Sequence, residues 1–191
     1  MNIFFTSDLH ADHLNIIKYC NRPFSGVAEM RSTLITNWNN TVGPRDRVYV
    51  LGDFVMGNVH YAERLLKSLN GEKYLIKGNH DKGNPEKLME AGFAWVGTEL
   101  QYQLGPYLVT LSHYPYAADP EEERINQRSD GETYVDKFAA KRPKDKGNWL
   151  LHGHVHTAWK INGRQVNVGV DKWNFTPVSQ EQLIELIKES K

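Results

Sequence analysis

The sequence predicts an α/β fold whose sheet is mixed or split in two, and three observations predict it. Short apolar runs alternate with longer helical stripes through the first half, in the order strand, helices, strand, helix, strand. Between positions 94 and 111 two or three further apolar runs are joined through Gly97 and Gly105-Pro106, the pattern of antiparallel meanders. Four of the apolar runs end in His, Asp or Asn, and open α/β sheets bind ligands beyond the carboxyl ends of their strands.

In chain order, residues 3–6 form a strand that leads into Asp8 and His10. Over residues 12–20, Leu14, Ile16, Ile17 and Cys20 recur at helical spacing with Asp12 as cap, and Asn21-Arg22-Pro23-Phe24-Ser25-Gly26 breaks that helix. A second stripe, Met30, Leu34, Ile35, Trp38 and Val42, ends at Gly43-Pro44. Residues 47–51 are a buried strand. Residues 58–69 turn Ala62, Leu65, Leu66 and Leu69 inward before Asn70-Gly71, residues 74–76 are the next strand, and residues 85–91 a short helix. Late in the chain, residues 149–151 enter His152-Gly153-His154-Val155-His156, and a hairpin turns at Asn162-Gly163. Ser179 and Gln182 then make a capping box for a final helix carrying Leu183, Ile184 and Ile187, which covers the sheet.

A chain of 191 residues suits one domain, residues 1–191. Its anomaly is the segment at about 115–148, rich in charge (Glu121, Glu122, Glu123, Arg124, Arg128) and poor in aliphatics apart from a helix predicted at residues 132–140. Such a segment reads as a lid or substrate-recognition insert, and equally as a solvated excursion. Net charge is zero, so no overall basic field holds a nucleic-acid backbone, and a nucleic-acid substrate would need local grip. The one cysteine, Cys20, matches a reducing compartment. There is no apolar run of membrane-spanning length and no secretory leader, and the expected setting is cytoplasmic. Nothing signals a partner protein or an oligomeric state.

The candidate site residues are Asp8, His10, Asp53, Asn79, His113, His154 and His156. Singly they are weak: Asp8-Leu9-His10 also reads as a cap beside a surface histidine, Gly52-Asp53 as a turn, His113 as a rim histidine. His154 and His156 share one face of an extended segment. Carboxylate, amide and imidazole without thiolate make an N/O ligand set suited to Mn²⁺, Fe or Zn²⁺. Seven ligands exceed one tetrahedral ion and fit two ions about 3.5 to 4 Å apart sharing a carboxylate, the geometry of in-line phosphoryl displacement.

The order D-x-H, G-D, G-N-H-D, H, G-H-x-H resembles the calcineurin-like metallophosphoesterase family, in particular its small single-domain bacterial and phage members, with Ser7-Asp8-Leu9-His10, His13 and Asn15-Ile16 at the start and Asn167-Val168-Gly169-Val170-Asp171 near the end. The resemblance implies a sandwich of two mixed sheets flanked by helices. It implies two divalent ions, Mn²⁺ foremost with Fe, Zn²⁺ or Ni²⁺ as alternatives. Asp8, His10, Asp53 and His156 would hold one, and Asp53, Asn79, His113 and His154 the other. It also implies that His80 protonates the leaving oxygen with Asp81 orienting its ring, and that a water or hydroxide between the ions is the nucleophile.

The expected activity is therefore phosphodiester hydrolysis on a small or nucleotide-type substrate. The alternatives are a phosphomonoesterase and a non-catalytic scaffold on the same fold. Arg22, Tyr114 and Asp171 are candidate substrate contacts, with Asp171 also placed to support a ligand histidine. His13 reads first as a polar-face helical residue, His152 as a support of the site, and His60 as surface.

Overall fold

The computed structural model describes residues 1–116 and 138–190. Its strands form two five-stranded sheets. The first runs β10 (Val178–Ser179), β1 (Ile3–Thr6), β2 (Arg47–Val50), β3 (Glu72–Ile76), β4 (Trp95–Gly97), with β1 to β4 parallel and β10 antiparallel to β1. The second runs β5 (Glu99–Leu104), β6 (Tyr107–Ser112), β7 (Trp149–His152), β9 (Gln165–Asn167), β8 (Ile161–Asn162). Here β5 with β6 and β8 with β9 are antiparallel, while β6, β7 and β9 are parallel. The expected pair of mixed sheets is present.

The pleat lets the first sheet serve two cores. Phe4, Val48 and Val50 face the helices, joining Met30, Leu34, Trp38, Leu65 and Leu66. Phe5, Tyr49 and Leu51 face the other way and pack with Leu111, Leu151 and Val166 of the second sheet. Strands buried on both faces lose polar alternation, which is why β1 and β2 read as continuous apolar runs. Phe5 stacks on Tyr49 at 5.4 Å and meets Tyr102 edge-on at 5.5 Å. Burying side chains of this size stabilises the fold by roughly 1.5–3 kcal/mol each.

The helices are α1 (Leu14–Tyr19), α2 (Val27–Thr41), α3 (Val59–Ser68), α4 (Pro85–Glu90) and α5 (Gln180–Glu189). Asn58 and Asn84 cap α3 and α4 by accepting from His60 N and Lys87 N, and the capping box of α5 is formed. Leu183 and Ile187 of α5 are fully buried in the core between the sheets, so this helix closes the sandwich as well as covering it. Asp12 does not cap α1. The cap position is His13, and the Asp12 carboxylate instead accepts from Arg31 Nη1 at 2.6 Å.

Much of the charged segment, residues 117–137, lies outside the described residues, including Arg128 and most of the helix predicted at 132–140. Ala139–Lys141, at its end, is a 3-10 turn. Among the described residues no helix is long and apolar enough to cross a membrane.

Candidate metal centre

Every predicted ligand sits just past the carboxyl end of a strand: Asp8 and His10 after β1, Asp53 after β2, Asn79 after β3, His113 after β6, His154 and His156 after β7. The tips are laced by backbone hydrogen bonds, Asp8 N to Gly52 O at 3.0 Å, His10 N to Asp53 O at 3.0 Å, and Gly153 N to His113 O at 3.1 Å. Five of the seven, Asp8, His10, Asp53, His154 and His156, have φ between 44° and 74°. That left-handed conformation is uncommon for any residue with a Cβ, costs of order 1–3 kcal/mol, and persists where surroundings impose it, typically at functional sites. Gly52, at φ 92°, and Gly78 make room for it: a Cβ on Gly52 would lie 2.8 Å from Gly78 Cα, and one on Gly78 would lie 2.7 Å from Asp53 N.

The first group forms around His113. Its Nδ1 lies 2.8 Å from the Leu51 carbonyl, which can only accept, so Nδ1 carries the proton and Nε2 bears a lone pair. That Nε2 lies 3.1 Å from Asn79 Oδ1, 3.3 Å from His154 Nδ1 and 3.5 Å from Asp53 Oδ2. A lone pair facing an amide oxygen and a carboxylate oxygen is repulsive unless a cation stands among them.

The second group joins Asp8, His10 and His156, each offering one atom within 4.8 Å of the others'. His10 is buried, and neither of its ring nitrogens has a hydrogen-bond partner among the described residues. Its Nε2 lies 3.5 Å from Asp53 Oδ2. The same carboxylate oxygen is therefore 3.5 Å from a nitrogen of each group. Asp53 is held in that pose from its other oxygen, since His80 N donates to Oδ1 at 2.8 Å.

The electrostatics suit a cation. Burial, followed by the neighbouring Asp8 and Asp81, pushes the Asp53 carboxyl up to about 6 against the opposing pull of His113. Burial lowers His10 and His154, keeping them neutral with lone pairs to give. Burial opposes charge on His156 as well, but Asp8 and Asp171 outweigh it and hold that imidazole well above its ordinary value. Clustered acceptors, neutral imidazoles and a carboxylate in electrostatic difficulty make a donor set that fits divalent ions.

Several supporting residues differ from expectation. Arg22 is not available to a phosphate. It is buried, its Nε and Nη2 meet Asp171 at 2.8 and 2.9 Å, and it also donates to the carbonyls of Leu9 and Asp8 at 2.9 and 2.8 Å. The Asp171 carboxylate is occupied by Arg22 and lies 3.3 Å from His156 Nδ1, which leaves it engaged within the chain and turned to a site histidine. Asp81 does not orient the His80 ring. Its oxygens accept from the amides of Asp53, Phe54 and Gly78 at 2.8, 2.9 and 2.8 Å, fixing the backbone that presents Asp53.

His80 is half-buried with its ring 5.2 Å from that of His10, and burial with His13, Lys82 and His113 lowers its pKa, Asp81 opposing only weakly. His13 departs from the polar-face reading: its ring lies 5.4 Å from His10 and 6.1 Å from His80. Its spacing of three from His10 was the available signal. Tyr114 packs on His113 and His154 at 4.9 and 5.0 Å and on Phe138 at 5.2 Å, beside a cavity of about 410 Å³ that reaches Gly78 and Lys141. Burial pushes its phenol up to about 12, so it stays protonated. His152 is buried with Nδ1 2.7 Å from Gly153 O, and His60 is at the surface.

A two-sheet α/β sandwich with a strand-tip cluster of carboxylates and imidazoles defines a class, the metal-dependent phosphoesterases. A family model described as calcineurin-like phosphoesterase matches residues 1–104, more than half of the chain and all the candidate ligands up to Asn79. The chain belongs to that family. It is 36% identical over 199 residues to the uncharacterized protein MJ1445 of Methanocaldococcus jannaschii, covering 99% of this chain and 93% of that one. It is 32% identical to the gene 66 protein of Mycobacterium phage L5, covering 97% and 94%. Among solved structures it is similar to AQ665 of Aquifex aeolicus, a protein of unknown function, with TM-score 0.69, 30% identity and coverage of 97% and 98%.

Proposed function

We propose that the chain is a phosphodiesterase for small or nucleotide-type esters, working with two divalent ions, Mn²⁺ first among the candidates. Asp8, His10, Asp53 and His156 would hold one ion, and Asp53, Asn79, His113 and His154 the other. The observation that carries this reading is the placement of one Asp53 oxygen 3.5 Å from both His10 Nε2 and His113 Nε2, as a bridging carboxylate requires. Bound there, the ions would supply Lewis acidity to the phosphoryl oxygens and acidify water.

The remaining work falls to the chain. Asp81 and the His80 amide hold Asp53 in its pose, and Asp171 fixes the ring of His156. Water's oxygen bonds to phosphorus, the bond to the leaving oxygen breaks, and His80 gives that oxygen a proton. Burial lowers the His80 pKa in the unliganded chain, and the negative charge of a phosphoester beside it would favour the protonated ring that a donor needs. A diester is favoured over a monoester because Arg22, the guanidinium beneath the site, is occupied by Asp171 and two carbonyls and cannot clamp a dianion.

The insert at about 115–148 is a candidate lid of one domain, with Tyr114 facing the substrate. A single cysteine in the chain supports a reducing, cytoplasmic setting. Steady-state rates with Mn²⁺ on bis-p-nitrophenyl phosphate and p-nitrophenyl phosphate test the proposal. Higher kcat/KM on the monoester would reverse the preference, and no hydrolysis of either would refute the activity.

A further inference from the structure

His13 has no duty in the mechanism above, although its ring stands beside two histidines of the candidate site. It stands at the cap position of α1 with extended backbone, φ −106° and ψ 100°, and its side chain makes no capping hydrogen bond. Its amide donates to His10 O at 2.9 Å, so the turn that presents His10 presents His13 as well. Its ring is edge-on to Tyr19 at 6.4 Å and stands 5.4 Å from His10 and 6.1 Å from His80. Its Nδ1 is buried without a hydrogen-bond partner among the described residues. Buried polar atoms are nearly always satisfied, so one left open calls for something that binds there.

Two simpler duties do not fit. His13 belongs to none of the clustered donor sets and, unlike His154, whose Nδ1 lies 3.3 Å from His113 Nε2, has no ring nitrogen at hydrogen-bond distance from another candidate ligand among the described residues. No hydrogen bond joins it to His80, so it does not orient that ring directly. What remains is an imidazole whose ring stands 6.1 Å from that of His80 and 5.4 Å from that of His10.

Resting on the phosphodiesterase reading, we propose that His13 is a further catalytic residue that hydrogen-bonds a non-bridging phosphoryl oxygen of the substrate while His80 serves the leaving oxygen. In this division His80 loses a proton to the departing alcohol and His13 neither gains nor loses a bond. The phosphoryl group thereby sits between two imidazoles on the His10 side of the cluster, with its leaving group toward His80.

The test compares Mn²⁺-loaded parent, His13→Ala, His13→Gln and His80→Ala by metal analysis, calorimetric binding of inorganic phosphate, and kcat/KM on bis-p-nitrophenyl phosphate. Expected for His13→Ala is unchanged Mn²⁺ content with roughly 10- to 100-fold weaker phosphate binding and a comparable fall in kcat/KM, the range for one hydrogen bond to a charged group. His13→Gln, which keeps a donor, should recover part of both. His80→Ala should lower kcat with little change in phosphate affinity. The proposal is overturned by phosphate binding and kcat/KM within twofold of the parent in His13→Ala, or by loss of Mn²⁺ from a variant with a native circular dichroism spectrum, which would make His13 a ligand. If the parent binds phosphate but hydrolyses neither ester, the activity reading fails alone and the phosphate isotherms still decide His13.

Discussion

His113 and His156 are both imidazoles that the second sheet brings to the centre, and they are held in opposite ways. His113 leans on a neutral partner, the Leu51 carbonyl, which sets its tautomer. His156 leans on Asp171, a carboxylate itself clamped by Arg22, and is held well above its ordinary pKa. Asp8 offers an atom within 4.8 Å of the donors of both groups, while the amide of Asn79 faces the His113 side. The lesson is that the two halves of the centre are not equivalent. The His156 half should bind a divalent ion more tightly and release a proton as it does so, while the His113 half should bind more weakly and with less dependence on pH.

Asp53→Asn should have the largest effect because Asp53 Oδ2 belongs to both halves. We expect loss of both metal steps and a fall in kcat of at least about 100- to 1000-fold, the range for removing one preorganised electrostatic group. Stability should move the other way. A carboxyl whose folded pKa is raised to about 6 favours the folded state below its unfolded value near 3.9, and that contribution is lost as pH rises through about 6. At pH 7 without metal the buried charge therefore costs up to about 3 kcal/mol. Metal-free Asp53→Asn should melt higher than metal-free parent at pH 7 and no higher at pH 4; equal melting at both would show that Asp53 is not strained.

Next in size is Asp171→Asn, which weakens support of His156 only. Metal affinity of one step should fall about 10- to 100-fold while the other is preserved, as isothermal titration with Mn²⁺ would show. The melting temperature should drop too, because Arg22 keeps a buried charge without its carboxylate, a change worth roughly 3–5 kcal/mol. Asn79→Ala is the mirror experiment, lowering the weaker step and sparing the tighter. If both variants weakened both steps alike, the halves would be one cooperative unit.

What was legible in the sequence follows from which forces act locally. The apolar runs of β1 and β2 and the Ser179–Gln182 box depend on neighbours within a few residues, and all appear in the fold. The candidate ligands were readable because each follows an apolar run directly. The supports were not. Arg22 meets Asp171 from 149 residues away, and Asp81 reaches back 27 and 28 residues to the amides of Phe54 and Asp53; neither pairing leaves a local pattern. His13 was misread because helical spacing over residues 12–20 placed it inside a helix, while the tight turn from His10 delays α1 until Leu14.

The pH dependence of metal uptake sharpens the contrast further. His156 must lose its proton before its ring can give a lone pair to a cation, so below its raised pKa the affinity of its half should fall about tenfold per pH unit. Its pKa lies above 6.5, so the fall should already be present on going from pH 8 toward 6. Mn²⁺ titrations at pH 8, 7 and 6 should show the step of the His156 half weakening. In Asp171→Asn that dependence should shift only in part toward lower pH, since one of the two carboxylates that raise His156 is gone and Asp8, the larger influence, remains.

The smallest expected effect comes from the aromatic cover that the described residues place over the His113 half. Phe138 packs edge-on against His154 at 4.8 Å and against Tyr114 at 5.2 Å, shielding the His113 half. Phe138→Leu keeps an apolar side chain but loses the ring geometry, worth about 0.5–1.5 kcal/mol per aromatic pair. We expect Mn²⁺ to dissociate roughly 2- to 10-fold faster from the weaker step, read by competition with a chromophoric chelator, and the tighter step to be unaffected. A change confined to the tighter step would mean that the cover and the weaker ion lie on different halves, and the assignment of affinities to the two histidines would have to be exchanged.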